Sequence, residues 1–131
     1  MEDRKLVDIL FFAERDSQYG LHLIFRFAKG YLYFNPNRFS IANDNDIYQL
    51  FKWEKVSYEA IGSGLSIIKI REDEVTSYFV EFSNGDIFFI YLQFNGETWW
   101  QDFEIVSKNN VQRHREVTAY MNEDFVEDVV L

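Results

Sequence analysis

Two carboxylates at alternating positions of one strand are the residues best placed to do chemistry. Asp102 and Glu104 lie in the segment ETWWQDFEIVS, residues 97–107. Because side chains alternate along a strand, both carboxylates point to one face, about 7 Å apart. Glycosidases use carboxylate pairs at such a spacing, but in a large cleft that a chain of 131 residues can hardly supply. The pair therefore favours a binding surface over a catalytic centre.

Other sequence patterns that mark catalytic or metal sites are absent. The two histidines, His22 and His114, lie far apart in the sequence, and the chain has no cysteine. A metal site would depend mostly on carboxylates, and no His-x-x-x-His pair occurs. The nucleophile elbow, the dinucleotide-binding glycine pattern and the phosphate loop are also missing. We expect a protein without enzymatic activity, metal or cofactor.

The carboxylate pair belongs to a predicted three-stranded antiparallel meander over residues 77–107. Its apolar runs are separated by Asn84-Gly85 and Asn95-Gly96, and Asn-Gly is a strong signal for a two-residue hairpin turn. Two-residue turns would place five residues on one face: Tyr78, Tyr91, Trp100, Asp102 and Glu104. We predict that these form a partner-binding surface, because aromatic residues dominate the energetics of interfaces.

The alternative for this face is that a helix or a second sheet covers it, since strands that are apolar on both faces are usually buried on both. The opposite face is more uniformly apolar and is assigned to the core, with Phe79, Phe88, Ile90 and Trp99 among its residues. Both assignments depend on turn length, because a one-residue slip exchanges the two faces.

Another hairpin is predicted from residues 21–28 and 31–35, around Lys29-Gly30. Alternation assigns one face to the core, where it carries Leu21, Leu23, Phe25, Phe27, Leu32 and Phe34. The other face holds His22 beside Arg26, Ile24 and two tyrosines, which indicates a half-exposed polar surface. A structural role for His22 is favoured over catalysis, because a functional base needs an orienting partner.

Three helical regions are predicted around these strands. Residues 2–15 place Leu6, Ile9 and Leu10 at helical spacing. Residues 43–46 offer capping side chains for a middle helix that runs through about Lys55. Residues 111–131 carry His114, Thr118, Met121, Phe125 and Val129 at intervals of three or four positions, with a break near Asn122 and a second short helix from Glu123. The predicted fold class is α+β, a mainly antiparallel sheet of about five or six strands with these helices, in a single domain of residues 1–131.

Composition narrows the classes of partner and compartment. The net charge is −9, from 22 acidic and 13 basic residues, which disfavours direct nucleic-acid binding and favours a basic protein partner. An aromatic content of 19% excludes a disordered chain. The N-terminal residues lack the pattern of a signal peptide, and no apolar run approaches the roughly 18 residues needed to span a bilayer. We expect a cytoplasmic protein that does not bind membranes.

In size, acidity, lack of cysteine and α+β pattern, the chain resembles the bacterial immunity proteins that neutralise nuclease-type toxins of contact-dependent and polymorphic systems. The resemblance implies an acidic inhibitor that binds a basic toxin and occludes its active site. The alternative is a small-ligand-binding domain or unrecognised enzyme, which a deep cavity over Tyr91 and Trp100 would favour. A third interpretation makes the aromatic face a homodimer interface.

Overall fold

The computed structural model describes residues 5–14, 20–36, 38–42, 47–73, 77–94 and 96–131. The chain divides into two compact units, residues 1–66 with residue 131, and residues 67–130. Each unit contains one five-stranded antiparallel sheet. No helix within the described residues is long and apolar enough to span a membrane.

The first unit contains five strands and one helical turn. In chain order these are β1 (Leu6–Glu14), β2 (Gly20–Phe27), β3 (Tyr31–Asn35), β4 (Arg38–Ala42), α1 (Ile47–Leu50) and β5 (Glu54–Lys55). Across the sheet the order is β4-β3-β2-β1-β5. Strand β1 therefore has a neighbour on both sides.

The predicted N-terminal helix is wrong, because residues 6–14 form strand β1; residues 2–4 and 15 of that prediction lie outside the described residues. Strand β1 pairs with β2 and β5, with Phe11 opposite Leu23 on one side and Glu54 on the other. A strand inside a sheet can be apolar on both faces. The consecutive apolar residues 9–12 satisfy that requirement, and they imitate helical spacing only because every position is apolar.

The predicted middle helix is also wrong over most of its length. Only Ile47–Leu50 is helical, and the chain enters the edge strand β5 at Glu54. Leu50, an apolar residue of the predicted helix, is 67% exposed. The capping residues 43–46 of that prediction lie outside the described residues.

The hairpin of β2 and β3 is confirmed, and all six residues of its predicted core face are buried. Its other face is half-exposed, as expected, only at Arg26 and Tyr33, since His22, Ile24 and Tyr31 are buried. The segment after α1 contributes to the burial of His22, because the centre of the Phe51 ring lies 4.2 Å from the centre of the imidazole ring. The Nδ1 atom of His22 lies 2.7 Å from the Tyr33 hydroxyl.

The second unit contains five strands and a helix of three turns. These are β6 (Ile67–Asp73), β7 (Tyr78–Phe82), β8 (Ile87–Phe94), β9 (Trp99–Val106), α2 (Val111–Met121) and β10 (Val126–Asp128). The order across the sheet is β10-β6-β7-β8-β9. The predicted meander is therefore present as β7-β8-β9. Helix α2 confirms part of the predicted C-terminal helix, but the segment after Asn122 adds a strand instead of a second helix.

The predicted fold class, α+β with one sheet and three helical regions, is wrong, although the antiparallel pairing of its strands is confirmed. The described residues form ten strands in two antiparallel sheets, and α2 is the one helix among them longer than a single turn. Apolar residues of α2 and β10 pack on one face of the second sheet in a cluster with Phe79, Ile87, Val106, Val117, Met121 and Val126. Helix α2 therefore covers part of the face on which the candidate site was predicted.

Candidate functional site

Turn length decides which of the five predicted site residues share a face. Phe82 pairs with Asp86 across a three-residue turn, residues 83–85, in which Gly85 has φ +91°. A left-handed third residue is typical of three-residue hairpin loops and favours glycine. This loop shifts β7 by one residue relative to the two-residue prediction, so Tyr78 lies opposite Ile90. Tyr78 is thus on the other face of the sheet from Tyr91.

The remaining four predicted residues do share one face. Phe94 pairs with Trp99 across a four-residue loop, two residues longer than predicted. A shift of two preserves the alternation of side chains. Tyr91 is paired with Asp102, and the neighbouring residues Trp100 and Glu104 on β9 point the same way. All four side chains are half-buried.

Glu104 forms an ion pair with Arg113 of helix α2. The Arg113 Nε atom donates a hydrogen bond of 3.1 Å to Glu104 Oε1, and a second nitrogen of the same guanidinium donates to the same oxygen. The guanidinium carbon also lies 5.9 Å from the centre of the Phe89 ring, a cation–π distance. The charge of Glu104 is therefore largely compensated, and Asp102 is the carboxylate of the pair without this guanidinium.

The phenol of Tyr91 experiences the charges of both carboxylates. Burial is the main cause that raises the pKa of Tyr91, and the negative charges of Asp102 and Glu104 raise it further. Arg113 and a hydrogen bond from Gln93 act in the opposite direction. Tyr91 therefore remains a neutral phenol at physiological pH, with a hydroxyl available for hydrogen bonding beside a carboxylate.

The structure adds two aromatic residues that the sequence did not place at the site. Phe94 and Trp99 flank the turn between β8 and β9, are 52% and 63% exposed, and stack with ring centres 4.7 Å apart. Trp99 had been assigned to the core face. The position of both residues beside the predicted Asn95-Gly96 turn was the available signal of their exposure. Residues next to a hairpin turn lie at the margin of a sheet, where fewer side chains pack on them. We call residues 91–94 and 99–102 the hairpin end.

The covering alternative applies to one part of the predicted face only. Helix α2 covers the part that contains Phe79, Ile87 and Val106. Tyr91 and Trp100, nearer the turn, are only half-buried. The hairpin end thus presents Tyr91, Trp100 and Asp102 on one face and the Phe94–Trp99 stack on the other.

The negative charge of the chain is concentrated in the unit that contains the hairpin end. Residues 67–130 include 13 acidic and 5 basic residues, whereas the other unit has 9 acidic and 8 basic residues. The second unit therefore carries −8 of the net −9. A charge of this size creates a field that attracts positively charged molecules over distances beyond direct contact.

Two cavities lie away from the hairpin end. One, of about 310 Å³, is lined by Phe11, Phe12, Ala13, Lys52 and Glu54. The other, of about 450 Å³, lies on the outer side of α2 and includes His114 and Arg115. Tyr91 and Trp100 line neither of them. Within the described residues, no group of three or more histidine, aspartate or glutamate side chains is placed to hold a metal ion.

The chain matches no protein-family model, no curated protein and no solved structure. Function must therefore be inferred from the geometry and charge of the two units.

Proposed function

We propose that this chain is an acidic protein-binding inhibitor that binds a basic partner through its hairpin end. The observation that carries the proposal is an exposed aromatic stack, Phe94 and Trp99, in a unit with a charge of −8. Large aromatic side chains exposed together are typical of interaction surfaces, because their burial on binding contributes more than that of most side chains.

The shape of the hairpin end favours a partner with a cleft. Aromatic side chains lie on both of its faces, Tyr91 and Trp100 on one and the Phe94–Trp99 stack on the other. A flat partner surface would contact only one of these faces. A cleft would bury both, and a hairpin inserted into an active-site cleft would exclude substrate from it.

Charge complementarity supports a nuclease-type toxin as the partner, which makes the chain an immunity protein of the class that its composition resembles. An enzyme that binds a nucleic-acid backbone presents basic residues around its active site. Attraction between opposite charges accelerates association and favours this partner over acidic or neutral proteins. Asp102, beside Tyr91 and Trp100 on the same face, would contact these basic residues, while Glu104 would act through Arg113 by fixing the helix beside the site.

The proposal is tested by affinity capture from a lysate of the native host, first at low salt and then with a salt gradient. We expect one basic protein that is released by salt, because exposed charge pairs are screened as ionic strength rises. Expressed alone, that protein should arrest growth, and co-expression with this chain should restore it.

Two results would contradict the proposal. One is the capture of no protein at either salt concentration. The other is a captured protein that is not basic, or whose toxicity persists when this chain is co-expressed at a matched level. A partner that binds equally well at low and high salt would contradict the proposed contribution of charge attraction to binding.

A further inference from the structure

The outer side of helix α2 carries a groove that the proposed function does not use. Its volume is about 450 Å³, and it is lined by Lys108, Val111, His114, Arg115, Thr118 and Ala119. Val117 and Met121 of the same helix are buried against the sheet. Residues spaced by four positions, such as 111, 115 and 119, lie above one another on a helix, and all three line the groove.

Two positively charged side chains line the groove. Lys108 and Arg115 are exposed, and neither forms an ion pair with any residue that the structure describes. By contrast, Arg71 pairs with Asp128 and Arg113 with Glu104. In a unit with 13 acidic residues, two unpaired cations beside one cavity form a local anion-attracting position.

The groove is held in shape by hydrogen bonds on both sides. His114 Nε2 lies 2.7 Å from the Gly85 carbonyl oxygen, and because a carbonyl only accepts, this nitrogen donates. The backbone N of Lys108 donates to Asp86 Oδ1 at 2.9 Å, and Asp86 is buried. The imidazole and the lysine backbone are thus both fixed to the turn between β7 and β8.

We propose that this groove binds a small organic anion, one carboxylate or phosphate group on an apolar body. The charged group would pair with Arg115 and Lys108, since a guanidinium can donate two parallel hydrogen bonds to either group. The apolar body would cover Val111, which is 61% exposed, and Ala119. The groove is open to solvent, and its volume of about 450 Å³ would accommodate one small organic anion.

The test uses the whole protein, labelled with ¹⁵N, and three ligands with the same ring: benzoate, phenyl phosphate and the neutral benzyl alcohol. We expect saturable shifts of the amide signals of residues 108–119 with the two anions and not with the alcohol. Replacement of Arg115→Gln or Lys108→Gln should weaken anion binding by about two- to fivefold each, the range expected for an exposed ion pair.

The matched control is Lys69→Gln, which removes the same charge from the same unit. Lys69 is exposed and lies on β6 opposite Glu81, outside the residues that line the groove. Its replacement should leave anion binding unchanged. The proposal is overturned if the anions cause no saturable shift in α2, if benzyl alcohol binds equally well, or if all three variants weaken binding to the same extent.

Discussion

At the scale of single residues, the phenol of Tyr91 reports on the carboxylates of the candidate site. Its pKa is raised mainly by burial, then by Asp102 and Glu104. The folded state therefore favours the neutral phenol more than the unfolded state does. This contribution to stability is fully present below the unfolded pKa of about 10 and is lost as pH rises through the folded pKa.

The corresponding prediction concerns the variant Tyr91→Phe. The free energy of unfolding of the wild type should fall more steeply than that of the variant between about pH 9 and 11. Urea unfolding at a series of pH values measures this difference. Tyr33 and Tyr78, whose pKa values are also raised by burial, are present in both proteins. Their contributions to the pH dependence of stability therefore cancel in the comparison. Equal pH dependence of the two proteins would show that Tyr91 is not in the environment described above.

At the scale of elements, helix α2 covers one part of the sheet face and leaves the hairpin end uncovered. Val117 is buried against the cluster with Phe79 and Ile87, whereas Val111 of the same helix is 61% exposed. The two valines thus allow one substitution to be compared in two environments within one helix.

We predict that Val117→Ala lowers the free energy of unfolding by about 2 kcal/mol, because two buried methyl groups and their packing are lost. Val111→Ala should change it by less than about 0.5 kcal/mol, as expected for an exposed position. Urea unfolding of both variants measures the difference. Similar losses for both would mean that α2 does not pack on the sheet through Val117.

The sequence predicts elements well where one local signal determines them. The β2–β3 hairpin and the three-strand meander follow from turn residues and alternation, and they are confirmed. Strand β1 could not be predicted from local sequence, since its apolar residues 9–12 also fit a helix. Its extended conformation is determined by pairing with two neighbouring strands, β2 and β5. Tyr78 was misplaced because Asn84-Gly85 occurs in a three-residue loop, a choice that the dipeptide alone does not determine.

At the scale of the whole chain, the charged residues can be counted from the sequence, but the sequence alone does not show which of them belong to one folded unit. The division into two units assigns −8 to residues 67–130. The same residues contain the exposed Phe94–Trp99 stack. A unit that combines this charge with exposed aromatic side chains has both the field that attracts a basic protein and the contacts that retain it.

In the proposed function, the hairpin end, and not acidity in general, makes the specific contact with the partner. Phe94 and Phe125 provide a matched pair, because they belong to the same unit and are 52% and 53% exposed. Each also contacts one aromatic neighbour, Trp99 for Phe94 and Tyr120 for Phe125. Their replacement by alanine removes the same surface from two different places without a change of charge.

The most direct measurement is therefore the dissociation constant of the captured partner for the wild type, Phe94→Ala and Phe125→Ala, by isothermal titration calorimetry. We predict that Phe94→Ala weakens binding by about 5- to 30-fold, the effect of an interface residue worth about 1–2 kcal/mol. Phe125→Ala should change it by less than about twofold. Equal affinities for all three proteins, or a larger loss for Phe125→Ala, would contradict the assignment of the hairpin end as the binding site.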